Sequence, residues 1–137
     1  MQVQEGEGWR LAVDPSRQPF PVLLGGQGWA AELRAEEALL LRQGVARLLE
    51  QHRQLVGTLL EEEAIELELE LALAQGWLWL ALEGDRRCWR LRFVLTPEPG
   101  QRGLEGSWAA GASVAVAAAL EQLSAIADRG ADPAGTF

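Results

Sequence analysis

Three carboxylates, two indoles and two guanidiniums recur at alternate positions: Glu66, Glu68 and Glu70, then Trp77 and Trp79, then Arg90 and Arg92. A spacing of two is the period at which side chains share one face of a β-strand. On such a strand the glutamates stand about 7 Å apart. Two of them could do acid–base work if one were desolvated, or bridge a divalent ion. The simpler use is a solvated acidic row that discourages sheet-to-sheet aggregation. Tryptophans beside arginines on an open sheet suit a different chemistry, in which the rings stack on bases and the guanidiniums hold phosphates. Such stacking is worth about 1–3 kcal/mol per base. The same rings are equally served by burial, under another sheet or in a dimer contact, because a tryptophan pair is costly to leave wet.

Little other chemistry is available. His52 is the single histidine, and no nucleophile with an orienting partner is legible beside it. Helical spacing puts it in the middle of an apolar arc, as a core-margin imidazole with a hydrogen-bond partner. Cys88 is the single cysteine, among Arg86, Arg87 and Arg90; with no second thiol to resolve it, it is expected to be a spectator. One Cys and one His do not make a zinc site, which takes about four such ligands. The Gly-x-Gly triplets, Gly6 to Gly8 and Gly26 to Gly28, lead into strands and lack the third glycine that opens a helix in a phosphate loop. The expectation is a protein that is not an enzyme and carries no cofactor and no metal.

Composition narrows the partners. The chain has 137 residues, enough for one domain; at this size roughly 68% of the unfolded surface is buried without staples. A formal net charge of −8 opposes indiscriminate binding of polyanions. All twelve basic residues are arginine, and lysine, asparagine and tyrosine are missing. A GC-rich coding sequence accounts for this; selection for planar, bidentate recognition is the functional alternative. The N-terminus lacks the basic-then-apolar pattern of a signal peptide, and "AAGASVAVAAAL" falls short of the about 20 apolar residues that span a bilayer. The expected location is the cytoplasm, away from membranes.

The elements that must position these residues follow from periodicity. Leu41, Val45, Leu48, Leu55 and Leu59 fall in one arc and predict a helix from Glu36 to about Leu60. Val116, Leu120, Leu123 and Ala127 predict a second, from about Ala110 to Ala127. "WRLAVD", "FPVLLGG" and "GWAAELR" read as strands before the first helix, and "GLEGSWA" closes a group of four after it. Gly8-Trp9, Gly28-Trp29 and Gly76-Trp77 each place a glycine at a turn and an indole at the start of a strand.

Between the helices, a Gln75-Gly76 turn would set Leu73 opposite Leu78, Leu71 opposite Leu80 and Leu69 opposite Leu82. A Gly84 to Arg87 turn would then pair Glu83 with Cys88, Leu80 with Leu91 and Leu78 with Phe93, and put Trp79 opposite Arg92. Both registers keep the leucines on one face. The fold class expected is α+β, antiparallel sheets with two helices in the order β-β-β-α-β-β-β-β-α, a doubled unit. It forms one domain over residues 1–128, with 129–137 as a tail.

"GEGWRLAVDPSRQPFPVLLGGQGWAAEL", a helix ending in "LLEQHRQL", then "LWLALEGD", "CWRLRFVLTP" and "GLEGSWA" together resemble a family of small, uncharacterised cyanobacterial proteins, over roughly residues 6 to 125. That family is similar in fold to the Whirly and positive-cofactor single-stranded DNA-binding transcriptional regulators. The resemblance implies a Whirly-like fold and a single-strand-binding platform, although acidity and the Glu66, Glu68, Glu70 row depart from those binders. Two functions therefore compete. One is a non-enzymatic binding module that contacts a protein partner or forms a homodimer. The other is a single-stranded nucleic-acid-binding regulator that uses Trp77, Trp79, Arg90 and Arg92.

Overall fold

The computed structural model describes residues 1–101 and 103–123. Four strands, β1 (Gln2–Gly6), β2 (Trp9–Val13), β3 (Val22–Gly26) and β4 (Trp29–Leu33), form an antiparallel meander that leads into helix α1 (Ala35–Val56). A second meander of four, β5 (Ile65–Leu73), β6 (Gly76–Gly84), β7 (Trp89–Pro97) and β8 (Leu104–Ser107), leads into α2 (Ala110–Glu121). The α+β class, the two helices and the order of elements are as expected. One further strand, β1, precedes the first expected one; its polar "QVQEG" text carries no apolar alternation. Helix α2 ends at Glu121 with Gln122 as its C-cap, short of the expected Ala127; residues 124–127 and the tail at 129–137 lie outside the described residues.

Two turns in the first sheet share a construction. Gly8 and Gly28 take φ of +78° and +81°, a region that penalises any Cβ. In each hairpin the following indole lies across the glycine that faces it: a Cβ on Gly6 would meet Trp9 Nε1 at 2.5 Å, and one on Gly26 would meet Trp29 Nε1 within 2.3 Å. The aromatic ring thus covers strand backbone that glycine leaves bare.

The inner faces of both sheets and one side of each helix make a single core. Leu11, Val13, Val22, Leu24 and Leu33 come from the first sheet, and Leu78, Leu80, Leu82, Leu91, Phe93 and Leu95 from the second. Leu41, Val45 and Leu48 of α1 and Val116 and Leu120 of α2 close it. The leucine face expected of the second sheet is therefore core, with Leu69 only partly buried because β5 is an edge strand. In α1 the arc continues through His52 and stops there. Leu55 is 38% exposed, and Leu59 lies beyond the helix end, so both expectations fail. His52 already reaches the β6–β7 turn, where its Nε2–H donates to the Asp85 carbonyl at 3.0 Å. The next turn of helix accordingly projects past the sheet.

The two hairpins of the second sheet keep the expected faces but slip by two residues. Leu71 faces Leu78 and Leu69 faces Leu80 across β5–β6; Leu80 faces Phe93 and Leu78 faces Leu95 across β6–β7. Ala74 and Gln75 form the first loop, and Asp85 to Cys88 the second. Gly76 and Gly84 are strand residues because of what lies against them. A Cβ on Gly76 would meet the Thr96 carbonyl oxygen within 2.3 Å, and one on Gly84 would meet that of Cys88 within 2.1 Å. Each glycine is required at a strand end both for close backbone approach and for a positive φ, +136° at Gly76 and +157° at Gly84. A slip of two preserves parity, so every side chain stays on its assigned face.

Candidate binding face on the second sheet

The face of the second sheet turned away from the core carries all the glutamates, tryptophans and arginines of the alternating pattern. Reading across strands, its rows are Ala72–Trp77–Thr96, then Glu70–Trp79–Val94–Glu105, then Glu68–Ala81–Arg92–Ser107, then Glu66–Glu83–Arg90. The result is three parallel stripes: acidic on β5, aromatic on β6, basic on β7. Both helices pack on the opposite face, through Leu78, Leu80, Leu82, Leu91 and Phe93.

The tryptophans are not sealed beneath the first sheet. Trp77 is 52% exposed and Trp79 half-buried, while Glu66, Glu68, Glu70, Arg90 and Arg92 are exposed. Burial under the N-terminal sheet is thereby corrected: that sheet directs its own apolar face into the shared core.

Arg92 is not directly opposite Trp79, as the expected register had it; Val94 is, and Arg92 faces Ala81. The guanidinium nevertheless leans diagonally back, its Cζ 5.1 Å from the centre of the Trp79 ring. Such a cation–π contact is worth about 0.5–1 kcal/mol at an exposed site. The other side of the same guanidinium reaches Glu83, with Nη2 to Oε1 at 3.1 Å. Glu83 was not singled out from sequence, although it shares the strand parity of Trp77 and Trp79. Its effect is to occupy one of the two arginines that would otherwise meet an anion. A shallow hollow of about 270 Å³ lies beside Arg90 and Arg92, lined in part by Glu83 and Ser107. It falls below the roughly 300–1,000 Å³ of small-molecule sites.

The remaining candidates are structural in their contacts. Cys88 is exposed in the β6–β7 turn, where its backbone N–H donates to Asp85 Oδ1 at 2.8 Å. The Arg87 N–H donates to the same oxygen at 2.8 Å. Chiefly through the Cys88 bond and then the Arg87 bond, the Asp85 carboxyl is held below the usual aspartate range. His52 is buried, with its ring 6.2 Å from that of Trp89. Among the described residues no three His, Cys, Asp or Glu side chains are grouped to hold a metal ion. No helix among them is long and apolar enough to cross a membrane.

Comparison with known proteins places the fold. A crystal structure of a protein of unknown function from Prochlorococcus sp. NATL2A, assigned there to a family called DUF155, is 34% identical and superimposes with a TM-score of 0.78. The match covers 90% of this chain and 98% of the cyanobacterial one. No curated protein matches. The profile described as "Domain of unknown function (DUF1818)" matches residues 4–123, and the chain belongs to that family.

Proposed function

We propose that this protein is a non-enzymatic binding module of the cytoplasm whose working surface is the outer face of the second sheet, taking a protein partner or a second copy of the chain. The observation that carries the reading is Trp77, 52% exposed near the Gly76 end of β6, on a face that no described element covers. Large aromatics are enriched where one protein meets another and are expensive to leave in water. Around them, charge is arranged in stripes of opposite sign on β5 and β7, which favours a partner with a matching pattern over a uniform polyanion.

Arg92 over Trp79 on an open antiparallel sheet favours a second reading, a Whirly-like single-strand binder. Against it stand the formal charge of −8, the Glu66, Glu68, Glu70 row, and the capture of Arg92 by Glu83. Binding to protein is the better reading.

Hydroxyl-radical footprinting of Trp77 tests both. Its reactivity is compared in dilute buffer, at rising protein concentration, with a single-stranded oligonucleotide, and in a soluble extract of the source cells. Protection by concentration or by extract supports a protein-binding face. Protection by the oligonucleotide alone transfers the face to the second reading. Equal reactivity throughout overturns the proposal.

A further inference from the structure

Resting on that reading of the face, we infer that its occupant is a second copy of this chain, packed face to face about a twofold axis parallel to β6. The argument is one of stripes and rows. A twofold axis that lies in the interface along β6 returns each row to its own height and exchanges β5 with β7. Glu68 and Arg92 share one row, and Glu66 and Arg90 share the next. Arg92 of one copy therefore comes over Glu68 of the other, and Arg90 over Glu66, twice each by symmetry. Trp77 and Trp79, on the axis toward the Gly76 end of β6, meet their own counterparts, with the Arg92 guanidinium beside each Trp79 ring. An axis across the strands would instead lay glutamate on glutamate and arginine on arginine. The charge order selects the first arrangement, as a self-complementary patch requires. Glu83 also falls on the axis, over its own copy, and Arg92 of the same chain offsets that repulsion at 3.1 Å.

The size of the face suits a reversible dimer. Three nine-residue strands and a short fourth give roughly 500 Å² of flat area per copy at ordinary strand spacing and rise. The pair then buries roughly 1,000 Å² before side-chain relief is counted, near the lower bound for a specific interface. Sheets so packed keep their strands within about 30° of each other, which leaves the rows aligned at the centre.

Sedimentation velocity on the full chain, from about 1 µM to about 200 µM, spans the range in which an interface of this size associates. The wild type is expected to dimerise, less tightly as salt is added. E66R/E68R and R90E/R92E, each checked for an unchanged melt, should raise the dissociation constant about tenfold or more. An equimolar mixture of the two should regain dimers, because each copy then supplies the charge that the other needs. The four-substitution chain, which keeps the formal charge of −8, should dimerise with itself. A monomeric wild type at the highest concentration overturns the inference, as does a dimer indifferent to the charge exchanges or a mixture that fails to associate. If the wild type stays monomeric while extract still protects Trp77, the copy-on-copy inference has failed and the binding-face reading stands.

Discussion

Trp108, next to β8 in the second sheet, donates its indole N–H across the core to the backbone carbonyl of Gly25 in the first sheet, at 3.0 Å. Trp29, from the first sheet, returns the bond to the Ser107 carbonyl at 3.1 Å, and the two rings lie 5.3 Å apart. Phe93 completes the cluster at 5.7 Å from each. The sheets are thus joined by a reciprocal pair of directional bonds inside an otherwise apolar seam. Trp108→Phe keeps most of the ring but strands a buried carbonyl, so it should cost about 1–3 kcal/mol in chemical unfolding. In a double-mutant cycle with Trp29→Phe the losses should couple, since the rings touch. A cost near zero for Trp108→Phe would show that the Gly25 carbonyl finds another donor.

Ser113 supports the same seam from below. Fully buried, it donates through Oγ to the Trp108 carbonyl at 3.0 Å and accepts the Leu91 N–H at 3.0 Å. Ser113→Ala should therefore cost about 1–3 kcal/mol, because it leaves the Leu91 donor buried without a partner. Thermal and urea melts measure it; an unchanged midpoint would mean that the helix settles to restore the bond.

Two helical glycines should respond to alanine with opposite signs. At Gly44 an added Cβ would lie 2.2 Å from Leu80 Cδ1 and 3.0 Å from Leu71 Cδ1. Overpacking of a tight core costs about 1–3 kcal/mol, more than the about 0.8–1 kcal/mol by which alanine improves a helix. Gly44→Ala should lower stability. Gly111, in the first turn of α2, has nothing within 4 Å of its virtual Cβ. Gly111→Ala should raise stability, by at most about 1 kcal/mol. Same-sign shifts would show that α1 is not seated on Leu80 as described.

Asp85 gives a pH dependence with a definite sign. Its carboxyl titrates below the usual aspartate range, because the Cys88 and Arg87 N–H groups bond to the ionised form. A group depressed in the folded state contributes stability that is complete above the unfolded pKa and is lost as pH falls through the native value. The stability gap between wild type and Asp85→Asn should thus be constant from neutral pH down to the ordinary aspartate range, then narrow in stronger acid. A gap that widens there would contradict the turn bonds.

How far sequence carried this fold depends on parity and on partners. Face assignment along β5, β6 and β7 was legible, since alternation needs only the strand's own residues. Register was not, because what Gly76 and Gly84 make room for lies elsewhere in the chain, the carbonyl of Thr96 in β7 and that of Cys88 at the end of the β6–β7 turn. The helix arc was readable up to His52 and misread at Leu55, where the helix outlasts the sheet beneath it. The reciprocal tryptophans were visible only as strand-opening motifs, and their bonds join residues 78 and 83 positions apart. The candidate face was legible as Trp77, Trp79, Arg90 and Arg92, whereas Glu83, which holds Arg92, required the folded rows.

That hold on Arg92 bears directly on nucleic acid. A base stacking on Trp79 would have to displace a guanidinium already over the ring at 5.1 Å and tied to Glu83 at 3.1 Å. A phosphate at Arg90 would share its row with Glu83 and Glu66. At physiological salt a labelled single-stranded oligonucleotide should therefore show no binding below roughly 10 µM, weaker than a dedicated site would give. Low salt strengthens repulsion together with attraction and should not rescue it. Changing the three glutamates to glutamine removes the repulsion without touching the aromatic stripe, and any gain of binding in that variant would identify the acidic row as what keeps nucleic acid away. Submicromolar binding by the wild type, weakened by salt and lost in Trp79→Ala, would instead establish that stacking and Arg90 outweigh the global charge, and the single-strand reading would take precedence.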